Sequence, residues 1–199
     1  MTRVGILVGS LRKNSFSKKL AANVAALFPE GYQTQVVEIG NLPLYNQDYD
    51  AENTTPAEYV TFRNTIKGLD AVLFVTPEYN RSVPAAVKNA LDVGSRPSGS
   101  NVWSGKPAAV ISNSPGNLGG FGANNHLRQF LASLNMPIIQ HPEAYIGHIA
   151  ELLGEDGKIH DEGATKLLQS VVDAFTDLIK KYQVSFLGDE LVNQLAPVK

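Results

Sequence analysis

At 199 residues, with 43% hydrophobic and 18% charged side chains, the chain has the make-up of one globular domain able to bury a substantial core. A formal net charge of −2 gives no global attraction to nucleic acid or to an anionic membrane surface. The absence of cysteine excludes disulfides, thiolate nucleophiles, Cys-ligated zinc and iron–sulfur clusters.

In chain order, the first apolar run, Val4 to Val8, predicts a strand. It is too short and too early for a signal peptide, and no apolar segment approaches the roughly 20 residues of a membrane span. The expected location is therefore the cytoplasm, with no membrane partner. Phe16, Leu20, Val24 and Leu27 then recur at helical spacing, followed by a β-branched run from Gln35 to Ile39. A second helix is predicted through Tyr59, Phe62, Arg63 and Ile66, and a third strand from Ala71 to Thr76. A helix beginning near Val83 carries Val87, Ala90 and Leu91, and a fourth strand runs from Ala108 to Ser112. Leu127, Phe130, Leu131 and Leu134 mark the next helix. A fifth strand is expected between Pro137 and Ile146, interrupted by His141-Pro142. The last helix is predicted from Glu162 to Lys181, with Leu167, Leu168, Val171, Phe175, Leu178 and Ile179 on its apolar side.

Five strands alternating with five helices predict βαβ units and an α/β, doubly wound parallel sheet with helices on both faces. In such sheets ligands bind outside the carboxyl ends of the strands, which directs attention to the loops that follow them.

The loop after the first strand, Gly9-Ser10-Leu11-Arg12-Lys13-Asn14-Ser15-Phe16-Ser17, gathers hydroxyls, an amide, a guanidinium and an ammonium at a helix N-terminus. Exposed N–H groups and the helix dipole already favour an anion there, and charged donors strengthen phosphate binding. One helix cap at Asn14 or Ser15 accounts for one residue but not for the whole set. The loop lacks both the G-x-G-x-x-G dinucleotide pattern and the G-x-x-x-x-G-K-[ST] pattern, so a single phosphate suits it best. After the third strand, Thr76-Pro77-Glu78-Tyr79-Asn80-Arg81-Ser82-Val83-Pro84 offers a stiffened turn with a flat ring and an amide, suited to a planar heterocycle. After the fourth, Ser112-Asn113-Ser114-Pro115-Gly116-Asn117-Leu118-Gly119-Gly120-Phe121-Gly122 allows close backbone approach to a ligand.

Together G-S-x-R-x-x-S-x-S, P-E-Y-N-x-S-x-P-x-x-x-K-N-A-L-D from Pro77 to Asp92, and S-x-S-P-G-x-x-G-G resemble the NADPH-dependent FMN reductases. That family includes soluble azoreductases, quinone reductases and chromate reductases. The resemblance covers residues 1 to about 182 and leaves the tail 183–199 without an assigned role. It implies a flavodoxin-like domain with strand order 2-1-3-4-5, non-covalent FMN, NADPH or NADH as donor, and a homodimer or homotetramer. Carried onto this chain, it implies that Ser10, Arg12, Asn14, Ser15, Phe16 and Ser17 hold the FMN phosphate. Pro77, Glu78, Tyr79 and Asn80 would line the ribityl chain and ring edge, and Ser114, Gly116, Gly119 and Gly120 the opposite side. The acceptor would be a quinone, azo compound, metal oxyanion or free flavin, reached by ping-pong turnover. FMN carries the chemistry, so no catalytic residue is assigned. Alternatives are a flavodoxin-type electron carrier and an FMN-binding regulatory protein that does not oxidise NAD(P)H.

Other constellations are set aside. His126, His141, His148 and His160 lack ligand spacing on one helix face, so no metal is expected. No G-x-S-x-G elbow is present for serine hydrolysis. Asp92 and Arg96 read as an ion pair closing their helix, although Arg96-Pro97 stands where a second phosphate could reach. Trp103, in a Gly- and Ser-rich loop, and the apolar excess of Val83, Val87, Ala90, Leu91 and Val93 predict a subunit interface.

Overall fold

The computed structural model describes residues 1–195, with side chains described as far as residue 183. Five parallel strands lie in the order β2-β1-β3-β4-β5. They are β1 Thr2–Val8, β2 Tyr32–Val37, β3 Ala71–Pro77, β4 Ala108–Asn113 and β5 Ala144–Ile146. The helices are α1 Phe16–Ala25, α2 Gln47–Ala51, α3 Ala57–Lys67, α4 Ala85–Gly94, α5 Phe121–Ser133, α6 Ile149–Leu152 and α7 Glu162–Leu195. The doubly wound parallel sheet expected from the alternation is observed, in the flavodoxin-like strand order that the family resemblance implied.

Side-chain alternation along the strands divides the core in two. Val4, Ile6 and Val8 of β1 with Leu73 and Val75 of β3 face Leu20 and Val24 of α1 and Val171 and Phe175 of α7. Leu7, Val72, Phe74 and Val110 point the other way, into Phe62 and Ile66 of α3, Leu91 of α4 and Leu127 of α5. Burial on both faces explains why β1, β3 and β4 read as near-continuous apolar runs.

Several boundaries differ from the sequence reading. β2 starts at Tyr32, three residues early, because it pairs with Thr2 at the foot of β1. β5 keeps only three paired residues, since the segment before it contains Pro137 and Pro142 and presents few ladder donors. The short helices α2 and α6 lack the length that makes an apolar period visible. Helix α7 runs unbroken through the expected boundary at residue 182; residues 196–199 of the expected tail lie outside the described residues.

Two interface expectations are overturned. Trp103 is fully buried within its own domain, wedged between Phe62 (5.9 Å between ring centres) and Phe74 (6.2 Å). Its indole N–H donates to the Leu91 carbonyl at 3.0 Å, and its ring lies on Gly94, where no Cβ would fit. The Gly- and Ser-rich loop folds back because Asn101 clips it, accepting from the Trp103 N–H and donating to the Leu134 carbonyl. Val87, Ala90, Leu91 and Val93 are all buried too, because α4 packs between the sheet, α3 and the returning loop. No exposed apolar stripe is left over. Asp92, for its part, pairs with Lys88 one turn earlier at 2.7 Å rather than with Arg96.

The connection between β2 and α3 is pinned by polar contacts. Asp50 and Arg63 form a bidentate pair, both bonds 2.8 Å, with side chains only 7% and 10% exposed. The Arg63 Nε donates to the Val93 carbonyl at 2.9 Å, joining α2, α3 and α4. Asn89 of α4 accepts from the Tyr45 N–H and donates to the Pro43 carbonyl, fixing the preceding stretch.

Candidate active site

The three loops singled out in the sequence emerge together at the carboxyl edge of the sheet, because β1, β3 and β4 are adjacent and parallel. Their exits are held by direct contacts. Gly9 leaves β1 so close to β3 that a Cβ there would stand 2.6 Å from Thr76 Oγ1 and 3.1 Å from Pro77 Cδ. The buried Asn113 at the end of β4 donates to Ser17 Oγ of α1 at 3.0 Å and to the Thr76 carbonyl at 3.3 Å. One amide thereby ties all three exits.

The first loop is a concentration of unused donors. Among the described residues, the backbone N–H groups from Ser10 through Ser17 make no hydrogen bond to protein, nor does the hydroxyl of Ser10, a residue 5% exposed. Uncapped donors at a helix N-terminus make an anion site. Ser15 is the N-cap of α1, its hydroxyl accepting from the Lys18 N–H at 3.2 Å. Arg12, Lys13, Asn14 and Lys18 are exposed around these donors, and no acidic residue occurs between Gly9 and Pro29. Phe16 packs partly into the core, and Ser17 is buried in its contact with Asn113, so of this group Ser10, Arg12 and Asn14 are the free side chains.

The second loop is a tight turn. Tyr79 and Ser82 exchange two backbone hydrogen bonds of 2.9 Å, with Asn80 at φ 48° and Arg81 at φ 66°. Both central residues occupy the left-handed region, as a type I′ turn requires. Pro77 ends β3, Tyr79 and Asn80 are exposed, and Glu78 turns away to accept from the Ala123 N–H of α5 at 3.0 Å. Ser82 Oγ lies 3.0 Å from His126 Nδ1, a second link to α5.

In the third loop Gly116 faces open space, while Gly119 and Gly120 are glycine for reasons of packing. Gly119, at φ 57°, lies directly on the Tyr145 backbone, and Gly120, at φ 78°, sits 3.0 Å (by its missing Cβ) from Ser112 Cβ. Ser114 donates to the Gly116 carbonyl at 2.9 Å, shaping the turn. Behind it Asn124 donates to Ser112 Oγ and the Ala144 carbonyl and accepts from Arg128 Nε. Asn113, Asn124 and His126 organise the site, yet the sequence offered no role for them: Asn113 was one residue of the third loop, His126 was weighed only as a metal ligand, and an isolated Asn such as Asn124 carries no spacing signal. Tyr79, Leu118 and Phe121 stand half or more exposed on these loops, an apolar rim for a planar ligand.

Among the described residues no cluster of His, Asp and Glu could hold a metal ion, and no helix is long and apolar enough to cross a membrane. A cavity of about 620 Å³ opens at the opposite, amino end of the strands near Leu69, Asp70 and Lys106. There the Lys106 ammonium donates to the Leu69 carbonyl at 2.6 Å, and burial lowers its pKa from the ordinary value. That lysine is a structural tether, remote from the donor-rich edge.

Comparison with known proteins gives the family. The family model for NADPH-dependent FMN reductase matches residues 2–151. The quinone reductase of Pseudomonas putida is 52% identical over 177 residues, covering 89% of this chain and 94% of that protein. The 2-hydroxy-1,4-benzoquinone reductase of a Burkholderia species is 42% identical over 182 residues, 92% of this chain and 98% of that one. Among solved structures, FerB, a flavoenzyme NAD(P)H:(acceptor) oxidoreductase from Paracoccus denitrificans, superposes with a TM-score of 0.85 at 42% identity. The match covers 92% of this chain and 99% of FerB. With the fold, the donor-rich edge and near full-length relatives in agreement, the chain belongs to the NADPH-dependent FMN reductases and is an enzyme that works with FMN and NAD(P)H.

Proposed function

We propose that this enzyme is an NAD(P)H:quinone oxidoreductase of ping-pong mechanism. The observation that carries the reading is the unbroken run of unused N–H donors from Ser10 to Ser17, ringed by cations, beside an exposed apolar rim. The donors fit one phosphate group, and the rim fits a flat ring with one face open. The names of the relatives support the quinone as acceptor.

When bound, FMN supplies the two-electron chemistry between NAD(P)H and the acceptor. The protein's part is to bind and orient. Ser10, Arg12 and Asn14 offer side-chain donors to the phosphate, and Ser15, Phe16 and Ser17 offer backbone N–H groups at the helix terminus. Asn80 offers an amide that both donates and accepts at a ring edge, and Tyr79 an aromatic flank, while Glu78 and Pro77 fix the turn that presents them. Gly116 leaves room for backbone approach opposite; Gly119, Gly120 and Ser114 hold that loop's shape. With one exposed mouth, donor and acceptor take turns, and the oxidised nucleotide leaves before the quinone enters.

Anaerobic mixing of the FMN-loaded protein with NADPH tests the function. Rapid bleaching of the flavin is expected, followed by parallel double-reciprocal lines when NAD(P)H and quinone are varied. A flavin that stays oxidised points to an electron carrier or a regulatory binder; intersecting lines remove the shared mouth. The same reading includes a homodimer or homotetramer whose second copy covers the exposed Tyr79, Leu118 and Phe121. A mass of 21.5 kDa by light scattering at working concentration would refute that part.

Arg12→Ala tests the phosphate site separately. Loss of a charge-assisted hydrogen bond of about 1.5–3 kcal/mol predicts FMN binding about tenfold to a hundredfold weaker. The exposure of Arg12 predicts an unchanged unfolding midpoint. Fluorescence titration of FMN reads the first and urea denaturation the second; unaltered affinity would return Arg12 to the plain surface.

A further inference from the structure

We propose that Arg81 is a specificity-determining residue that favours substrates carrying an anionic group, phosphate or sulfonate in character, at the mouth of the site. The inference rests on the reductase reading above.

Arg81 occupies φ 66°, a region that costs a non-glycine residue of this shape about 1–2 kcal/mol. Asn at the neighbouring position tolerates that conformation readily, and an arginine does not. The strain brings the fold little in return. The Arg81 side chain is 76% exposed, and its nearest acid, Glu78 Oε1, is 3.6 Å away, beyond hydrogen-bond distance. The other oxygen of Glu78 is occupied by the Ala123 N–H at 3.0 Å. The guanidinium thus keeps one loose ion pair through Nη1 and makes no hydrogen bond to the described residues.

Its platform, by contrast, is rigid. Two backbone bonds close the turn, Glu78 and Ser82 fasten it to α5, and the Arg81 carbonyl packs against Gly122, where a Cβ would lie only 2.7 Å away. Phe121, one residue before that glycine, is half exposed. A cation carried on a fixed turn next to an apolar rim suits a molecule that combines a flat ring with a peripheral anion. Two substrates of the proposed reaction have this form: NADPH, through the phosphate that NADH lacks, and an acidic quinone.

The test uses the FMN-loaded protein and its Arg81→Asn, Arg81→Gly and Arg81→Lys variants. Asn and Gly suit the turn, so they remove the charge without endangering the fold. Calorimetric binding of NADP+ against NAD+ forms one arm; a sulfonated naphthoquinone against its uncharged parent forms the other. Arg81→Asn and Arg81→Gly are expected to weaken the anionic member of at least one pair about tenfold while leaving the uncharged counterpart within about twofold. Arg81→Lys is expected to retain part of the preference, with a steeper decline as salt is raised. Whichever arm responds identifies the source of the anion. Equal loss for both members of each pair, or no change in either, overturns the proposal. Binding is read without turnover, so a protein that binds selectively but never oxidises NADPH would refute the reductase reading and leave the arginine's role standing.

Discussion

Asp50→Ala is expected to destabilise the protein by about 3–5 kcal/mol, a large share of the roughly 5–15 kcal/mol that holds a domain together. The size follows from what is left behind rather than from the bond removed. Without the carboxylate, the Arg63 guanidinium stays buried over the Tyr59 ring (5.3 Å to its centre), with only the Val93 carbonyl as a partner. Thr55, which donates to Asp50 at 3.2 Å, and the Tyr45 hydroxyl at 3.4 Å lose their acceptor as well. Urea denaturation would show a lower midpoint. Exchanging both partners for apolar residues, as in Asp50→Leu with Arg63→Met, should recover much of the loss, since neither then buries a lone charge. A cost below about 1 kcal/mol for Asp50→Ala would mean that water reaches the pair.

The same pair predicts an acid dependence of definite sign. Hydrogen bonds from Arg63 hold the Asp50 carboxyl below its ordinary pKa, against the opposing effect of burial. A carboxylate with a depressed folded-state pKa contributes fully above its unfolded value of about 3.9 and loses that contribution as pH falls through the lower folded value. The stability gap between wild type and Asp50→Asn should accordingly be constant near neutrality and shrink below about pH 4.

The second large effect is expected at Trp103. Trp103→Ala removes a fully buried indole and its hydrogen bond to Leu91, and should cost about 3–5 kcal/mol. Phe62, Phe74 and Gly94 would line the void. Thermal or urea unfolding measures the loss, and light scattering on the folded fraction should find the oligomeric mass unchanged. A variant of full stability that falls apart into subunits would restore Trp103 to an interface and contradict its burial.

These two residues also mark where sequence reading stops. The alternation of apolar runs with helical spacing is a local property, visible residue by residue, and it announced a doubly wound parallel sheet; the strand order came from the motif resemblance, not from periodicity. The donor content of the Ser10–Ser17 segment and the turn chemistry after β3 are local too, so the candidate site could be read from the chain. Asp92 stood at i, i+4 spacing from both Lys88 and Arg96, so spacing alone could not choose the partner it takes, Lys88. Tertiary structure alone decided which surfaces meet. Trp103 looked exposed because its neighbours are small and polar, yet the groove that takes it is built from Phe62 and Phe74, far away in the chain. Asp50 and Arg63 are separated by a helix end and a loop, and nothing in their spacing announces a bidentate pair. Glu78 sits in a motif associated with the ligand, but its carboxylate is drawn to Ala123, because an uncapped helix N-terminus lies within reach. Periodicity reports which face of an element is apolar; only packing determines what that face, or a lone polar group beside it, will find.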